Sequence, residues 1–493
     1  MYSLICCCLN QPPTRSFPSV VPLTFMAASK PVKILEQCKV APPPGSVATP
    51  TSTAIPLTFF DAFFLPVLPV EIVYFYEYPH PISQFTHSLL PQLKHSLSST
   101  LIHFYPLAGN VSWPHEPNQP MIYYTEGDSV SFTVAESDAD FYHLSSNHIR
   151  ETMESRPLVP HLPTSGTNIP LLAIQVTVFP NTGICIALSR HHSSCDGRAF
   201  THLMRTWSSI SKLGAGSLSL EFLPFLDRTV IEDKERILNI FLELLEGLMD
   251  SESGSENRIL RAIDRELKPN LVRATFELNE ASSRRLKEWI FAQYNKKEEQ
   301  TQTHTRSIAA PSRLVATCAY TWICMLKADA KVGESNNNMT SFVLSADCRA
   351  RLDPPIPRTY LGNCVKPNVV VVEDKTDLIR GGVAAAAQLL GDALHEMDKG
   401  VLKGMVQSVA SLVELPHDRI FVVAGSPQFE YYKTDFGFGR PKKVEMTSVE
   451  GTSGMFLKDS SNVDGGFEFD LALNKLEMEA FASEFVDGLN ALI

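Results

Sequence analysis

The sequence predicts a mixed α/β protein built as two halves of comparable size, and three observations predict it. Strand-like and helix-like runs alternate along nearly the whole chain. Two apolar runs, 171–178 and 183–189, flank the turn signal Phe179-Pro180-Asn181-Thr182 and read as a hairpin. A less regular passage opening at Leu223-Pro224 divides the chain near its middle.

In chain order, 85–103 has helical periodicity and ends at Tyr105-Pro106-Leu107-Ala108-Gly109. Residues 121–124 and 129–134 read as strands, and the hairpin follows. A polar loop, Arg190-His191-His192-Ser193-Ser194-Cys195-Asp196-Gly197, leads into a helix over 198–210. After the irregular start of the crossover, 237–249 is an amphipathic helix. Residues 251–257 are polar and read as an exposed loop. A strand over 272–278 precedes a helix over 280–294, and the charged, threonine-rich 295–306 reads as a loop insertion. Residues 314–327 form a buried helix and 341–345 a strand that ends at Asp347-Cys348-Arg349. Helices over 382–397 and 401–415, strands over 418–423 and 467–473, and a terminal helix over 475–492 complete the second half. The expected organisation is an extension 1–26, an N-terminal domain 27–222, a crossover 223–250 and a C-terminal domain 251–493.

With 493 residues, 44% hydrophobic and 20% charged, the chain has enough apolar content for more than one core. A net charge of −11 argues against a general nucleic-acid or anionic-membrane binder. The most apolar stretch, 55–76, is broken by Asp61, Pro66, Pro69 and Glu71 and is no clean membrane span. Ten scattered cysteines, none in CxxC spacing, suit reduced thiols, and no metal site is expected. No acidic residue precedes Glu36, so the first segment reads either as a plastid transit peptide or as an upstream start ahead of Met26. The second reading makes the protein cytoplasmic.

The polar loop holds the strongest chemical candidate. His192, just past a strand, is a general base or else a histidine satisfied within its turn. A positioned base contributes about 10²–10⁴-fold. Asp196, four residues on, either orients the ring directly or pairs with an arginine and locks the loop. His191 points to the opposite face and reads as structural. Cys195 is a poor nucleophile, because the adjacent Asp196 raises its pKa. A second constellation, Asp435-Phe436-Gly437-Phe438-Gly439, reads on its own as a tight turn with packed rings. The basic residues Arg440, Lys442 and Lys443 trail it.

At these two motifs the chain resembles the BAHD superfamily of plant acyl-CoA-dependent acyltransferases. His192 to Asp196 matches its HxxxD motif, and Asp435 to Gly439 its DFGWG motif, in the expected order. Leu57-Thr58-Phe59-Phe60-Asp61, Asp227-Arg228 and Tyr360-Leu361-Gly362-Asn363-Cys364 extend the resemblance over 32–493. The last of these is similar to the YFGNC motif of the anthocyanin and phenolic-glycoside acylating clade.

The resemblance implies two chloramphenicol-acetyltransferase-like domains with an active-site channel at their interface. It implies acyl-CoA, malonyl-CoA above all, as co-substrate, and a phenolic or flavonoid glycoside as acceptor. Aromatic acyl-CoA is the alternative donor, and a monomer is expected. His192 would deprotonate the acceptor. Asp196 would pair with an arginine, for which Arg349 is the candidate. Asp435 is grouped with the site residues but is given a structural part, and Ser312 and Arg313 would meet CoA. Two departures bear on specificity. Phe438 replaces the usual tryptophan, and Gln428 stands where close relatives often carry an arginine. A condensation domain shares the HHxxxDG pattern, but the chain has no carrier region and its DFGFG and YLGNC segments argue against that reading. A non-catalytic ligand binder is disfavoured by the intact His192 and Asp196.

Overall fold

The structure, a computed structural model, describes residues 30–47, 52–247, 249, 256–263, 270–301, 310–333, 338–414, 420–451, 454–461 and 465–491. The transit-peptide or start-site question therefore lies outside the described residues, as does most of the loop 251–257.

The predicted hairpin forms the centre of the first half. Strands Leu172–Phe179 and Gly183–Arg190 pair antiparallel along their whole length, with Leu172 opposite Arg190. They lie in a six-stranded sheet ordered Lys33–Val40, Val130–Glu136, Leu172–Phe179, Gly183–Arg190, Val70–Glu77, Lys443–Met446. Both central strands are buried on both faces, which explains their continuous apolar runs. The helix Gly197–Leu213 covers one face with Phe200, Leu203, Met204, Trp207 and Ile210, a helical spacing that gives one apolar stripe. Trp207 donates from Nε1 to the Leu93 carbonyl (3.1 Å) of the neighbouring helix Leu90–Leu101.

The second half carries a seven-stranded sheet ordered Val365–Val372, Thr340–Asp347, Ile420–Ala424, Met455–Asp459, Phe467–Asn474, Leu271–Leu278, Arg150–Glu151. Its helices Arg313–Val332, Lys375–Glu396 and Lys475–Asn490 close a separate core around Trp322, Phe469 and Phe481. A third core, with Phe59, Phe60, Phe241, Cys348, Tyr360 and Met405, fills the seam between the halves.

The halves exchange strands. Lys443–Met446, late in the chain, pairs with Val70–Glu77 at the edge of the first sheet. Arg150–Glu151, early in the chain, pairs with Leu271–Leu278 at the edge of the second. A buried ion pair, Arg150 with Glu445, ties the two exchanged strands to each other.

Three elements differ from the sequence reading. The helix predicted over 85–103 contains a π turn at Phe85–Leu89. Pro91, near the start of the next helix, has no N–H for the carbonyl of His87, and the wider turn relieves that loss. The helix Glu280–Thr301 runs into the segment read as a loop, because its lysines, glutamates and glutamine are good helix formers despite their polarity. The helix predicted over 382–397 is preceded by a further turn from Lys375, joined to it across a kink at Gly382 (φ 70°). No helix among the described residues is long and apolar enough to cross a membrane.

Candidate active site

The strand Gly183–Arg190 delivers the polar loop at the seam. Beyond it the His191 N–H donates to the Leu171 carbonyl (2.9 Å), and His192–Ser194 form a single 3₁₀ turn. His191 is consumed by that turn: its Nδ1 lies 2.8 Å from the Ser193 hydroxyl. Burial first, and then the neighbouring Arg190 charge, bring the His191 pKa down to about 4. The Ser194 hydroxyl donates back to the His191 carbonyl (2.7 Å), and the Arg190 guanidinium donates to the Cys195 carbonyl.

His192 is only partly covered. Its ring stacks on Phe64 with centroids 3.8 Å apart and planes 2° from parallel. Its carbonyl accepts from Asn363 Nδ2 (3.0 Å), while its Nδ1 is buried with no partner among the described residues. Burial, followed by the Arg190 charge, holds the imidazole pKa well below its ordinary value, so the ring is neutral near pH 7.

Asp196 does not reach this ring. It is 3% exposed and accepts from both terminal nitrogens of Arg349 (2.7 and 3.1 Å). It also accepts from the Cys364 N–H (3.0 Å), and caps the helix Gly197–Leu213 through the Ala199 N–H (3.0 Å). Burial would raise its pKa, but Arg349 and these amides outweigh burial and hold the carboxyl below its ordinary value. Of the two roles the sequence left open, the geometry is that of the arginine pair. Gly197 owes its place to close packing rather than to its backbone angles, since its φ is not positive. A Cβ there would stand 2.6 Å from the Phe429 ring, which crosses from the other half.

A second buried carboxylate mirrors the first. Asp61, fully buried, accepts from Arg228 (2.5 Å), the Thr58 N–H and hydroxyl (3.0 and 2.7 Å) and the Asn363 N–H (2.8 Å). Asn363 Nδ2 donates both to Asp61 (3.0 Å) and to the His192 carbonyl. Successive amides of Asn363 and Cys364 thus meet Asp61 and Asp196. The Arg228 and Arg349 guanidinium groups lie 5.3 and 5.6 Å from the Tyr360 ring. Sequence reasoning assigned no role to Phe64, Asp61, Arg228, Tyr360 or Asn363. One signal was present: Asp61 interrupts an apolar run with no basic residue nearby in sequence, so its partner had to be distant.

The structure does not bring Asp435 to His192. Its carboxylate accepts from Lys212 (2.6 Å) and from the Gly437 and Gly439 N–H groups (2.8 and 3.0 Å), a turn held against the helix Gly197–Leu213. Phe436 is fully buried, edge-on to Trp207 (4.8 Å) and Tyr76 (5.9 Å). Phe438 fills its slot as a ring edge-on to Tyr76 (5.2 Å) and Tyr78 (5.9 Å). Gly437 has φ 107°, which strains any L side chain. Gly437→Ala is therefore expected to destabilise the fold by about 1–3 kcal/mol, seen as a lower urea midpoint.

Ser312 caps the helix Arg313–Val332 by accepting from the Val315 N–H (3.1 Å). Arg313 is exposed, donates to the Gly465 carbonyl (3.0 Å) and lies over Phe467 (5.2 Å). Gln428 is exposed, with its carbonyl 3.5 Å from Arg198, whose Nε is bonded to Asp347 (2.6 Å). Cys195, Cys348 and Cys364 are all buried, and burial raises each thiol pKa, Cys348 to about 12. None of them is a thiolate at neutral pH.

The fold has solved counterparts. It matches the crystal structure of vinorine synthase with a TM-score of 0.64 at 19% identity, covering 92% of this chain and 98% of that one. It matches F. sporotrichioides TRI101, complexed with coenzyme A and T-2, with a TM-score of 0.59 at 16% identity, covering 87% and 97%. The profile of the Transferase family matches residues 36–487. Curated relatives agree. A malonyl-coenzyme:anthocyanin 5-O-glucoside-6'''-O-malonyltransferase of Salvia splendens is 35% identical, over 92% of this chain and 94% of its own length. Phenolic glucoside malonyltransferase 1 of Nicotiana tabacum is 35% identical, over 93% and 99%. A coumaroyl-CoA:anthocyanidin 3-O-glucoside-6''-O-coumaroyltransferase of Arabidopsis thaliana is 33% identical, over 94% and 99%. The chain belongs to the BAHD family of acyl-CoA-dependent acyltransferases.

Proposed function

We propose that the protein transfers an acyl group, malonyl above all, from acyl-CoA to a sugar hydroxyl of a phenolic, flavonoid or anthocyanin glycoside, with His192 as general base. The observation that carries this reading is the neutral, partly exposed imidazole at the seam, in a chain about one-third identical to glycoside acyltransferases over more than nine-tenths of its length. With Nδ1 buried, Nε2 is the nitrogen available to an acceptor.

The acceptor O–H proton passes to Nε2 as the oxygen attacks the thioester carbonyl. The tetrahedral intermediate collapses, the C–S bond breaks, and the CoA thiolate takes the proton from the imidazolium. A thioester is already activated, so no protein nucleophile is needed, in keeping with the raised thiol pKa of Cys195. Asp196 and Arg349 hold the loop, Asp435 holds its own turn, and Phe64 and Asn363 hold the histidine. In this reading the exposed Arg313 meets a CoA phosphate, and Ser312, which caps its helix, supports it.

Purified protein is to be offered malonyl-CoA and coumaroyl-CoA against a panel of phenolic and flavonoid glucosides, with products read by mass. A gain of one malonyl group on a glucoside is expected, and the absence of any acylated product overturns the reading. The coumaroyl alternative is favoured by the coumaroyltransferase relative and by the uncharged Gln428. Gln428→Arg, which adds a cation beside Arg198, is expected to raise the malonyl-to-coumaroyl ratio about five-fold in a donor competition. That is the scale of one exposed charge contact. An unchanged ratio removes position 428 from donor choice.

A further inference from the structure

Four arginines and three aspartates crowd the turn that carries His192, and all but one are paired. Arg228 pairs with Asp61, Arg349 with Asp196 and Asp347, and Arg198 with Asp347. The exception is Arg190. It is 4% exposed, and no carboxylate among the described residues lies within ion-pair reach of it. Its Nε is buried without a hydrogen-bond partner among those residues. Its guanidinium donates to the Cys195 carbonyl, spanning the turn from one end to the other, and lies 5.2 Å from the Phe200 ring.

Holding a guanidinium inside a core without a counter-charge is costly, and arginine cannot escape by losing its proton. One more carboxylate lies in this region, Asp459. It accepts from the Tyr431 and Tyr432 amides (2.8 and 3.3 Å) and forms no ion pair with Arg190, and burial raises its pKa to about 6. On the His192 side, Asp196 and Asp61 are already neutralised by their own arginines, and His191 is uncharged. Arg190 is thus the one guanidinium of these four with no carboxylate in contact among the described residues, and it stands two positions before His192 in the chain.

We propose that Arg190 is a positioning residue for acyl transfer: it pins the two ends of the turn that carries His192 and sets a buried guanidinium with no ion-pair partner among the described residues into that turn. A like charge disfavours the protonated ring. The depressed pKa of His192, caused first by burial and next by Arg190, agrees with this. The same charge acts in the second half of the reaction. Once the ring has taken the acceptor proton, an imidazolium beside Arg190 is a stronger acid and returns that proton readily to the departing thiolate. Arg190 itself exchanges no proton.

The proposal rests on His192 being the base, and its test includes a readout that does not need turnover. Arg190→Met and Arg190→Lys are compared with the unaltered full chain. The acidic limb of the kcat/KM pH profile is measured with malonyl-CoA. The pH midpoint for diethyl pyrocarbonate labelling of the His192 peptide is measured alongside, with exposed His161 as internal reference. In the methionine variant both midpoints are expected to rise together by about one pH unit, the scale of a nearby charge. The lysine variant keeps both near the unaltered values. A methionine variant with an unmoved labelling midpoint overturns the proposal. If that variant does not fold, Arg190→Gln, which keeps a donor toward the Cys195 carbonyl but not the charge, decides: a raised labelling midpoint sustains the proposal and an unmoved one overturns it. A protein that acylates no glycoside refutes the substrate reading while leaving the labelling result intact.

Discussion

His192→Ala lowers turnover by about 10²–10⁴-fold and leaves the unfolding transition nearly where it was. Both parts follow from the geometry. The His192 imidazole is partly exposed and is not bonded within its turn, whereas His191 is bonded to Ser193. The His192 side chain contributes little to the fold, because its Nδ1 has no partner among the described residues and its backbone carbonyl, not its ring, accepts from Asn363. What alanine removes is the stack on Phe64. Steady-state kinetics and a thermal melt of the same preparation check the two parts together. Near-normal turnover refutes the mechanism, and a collapsed melt shows that the ring is structural.

Asp196→Ala is expected to destabilise the protein by about 3–5 kcal/mol, because it strands a buried guanidinium and uncaps a helix. Arg349→Met should cost a similar amount, since it strands the carboxylate instead. The double variant should lose clearly less than the sum, which a urea double-mutant cycle reads directly. Activity falls in all three, because the loop no longer aims His192, although neither residue touches it. The pair also has a pH signature. The folded carboxyl titrates below its unfolded counterpart. Its contribution is therefore complete above the ordinary carboxylate pKa of about 4 and fades as pH falls through the lowered folded value. The unaltered protein should lose stability on acidification, and Asp196→Ala should lose less over the same window.

What the sequence made legible was local. The hairpin, the loop and the following helix are adjacent in the chain, and their apolar spacing specifies them without reference to anything distant. The turn at Asp435 was likewise readable as a turn, because its carboxylate bonds amides two and four residues away. The Arg349 partner of Asp196 was reached only through family resemblance, since 153 positions separate the two. Asp61 and Asn363, separated by 302 positions, stayed invisible as a pair. A buried polar network is specified by which loops the fold brings together, and no periodicity records it. The exchanged strands escaped notice for a related reason. Arg150–Glu151 is only two residues long, and Lys443–Met446 carries two charged side chains whose partners, Asn147, Asp470 and Arg150, are distant in sequence.

Those exchanged strands bear on how the protein emerges from the ribosome. The first sheet lacks its edge strand until residue 446 has been made, although the other five strands are complete by residue 190. Over that interval Val70–Glu77 presents an unpaired edge, the kind of surface that invites association with other nascent chains. Asn363 and Arg349 arrive late as well, so the histidine loop is synthesised long before anything fixes it. Completion of the first sheet and of the histidine loop therefore waits on residues from the second half of the chain. A message truncated even a few dozen codons short, before residue 443, should yield a chain that needs a chaperone rather than a slower catalyst.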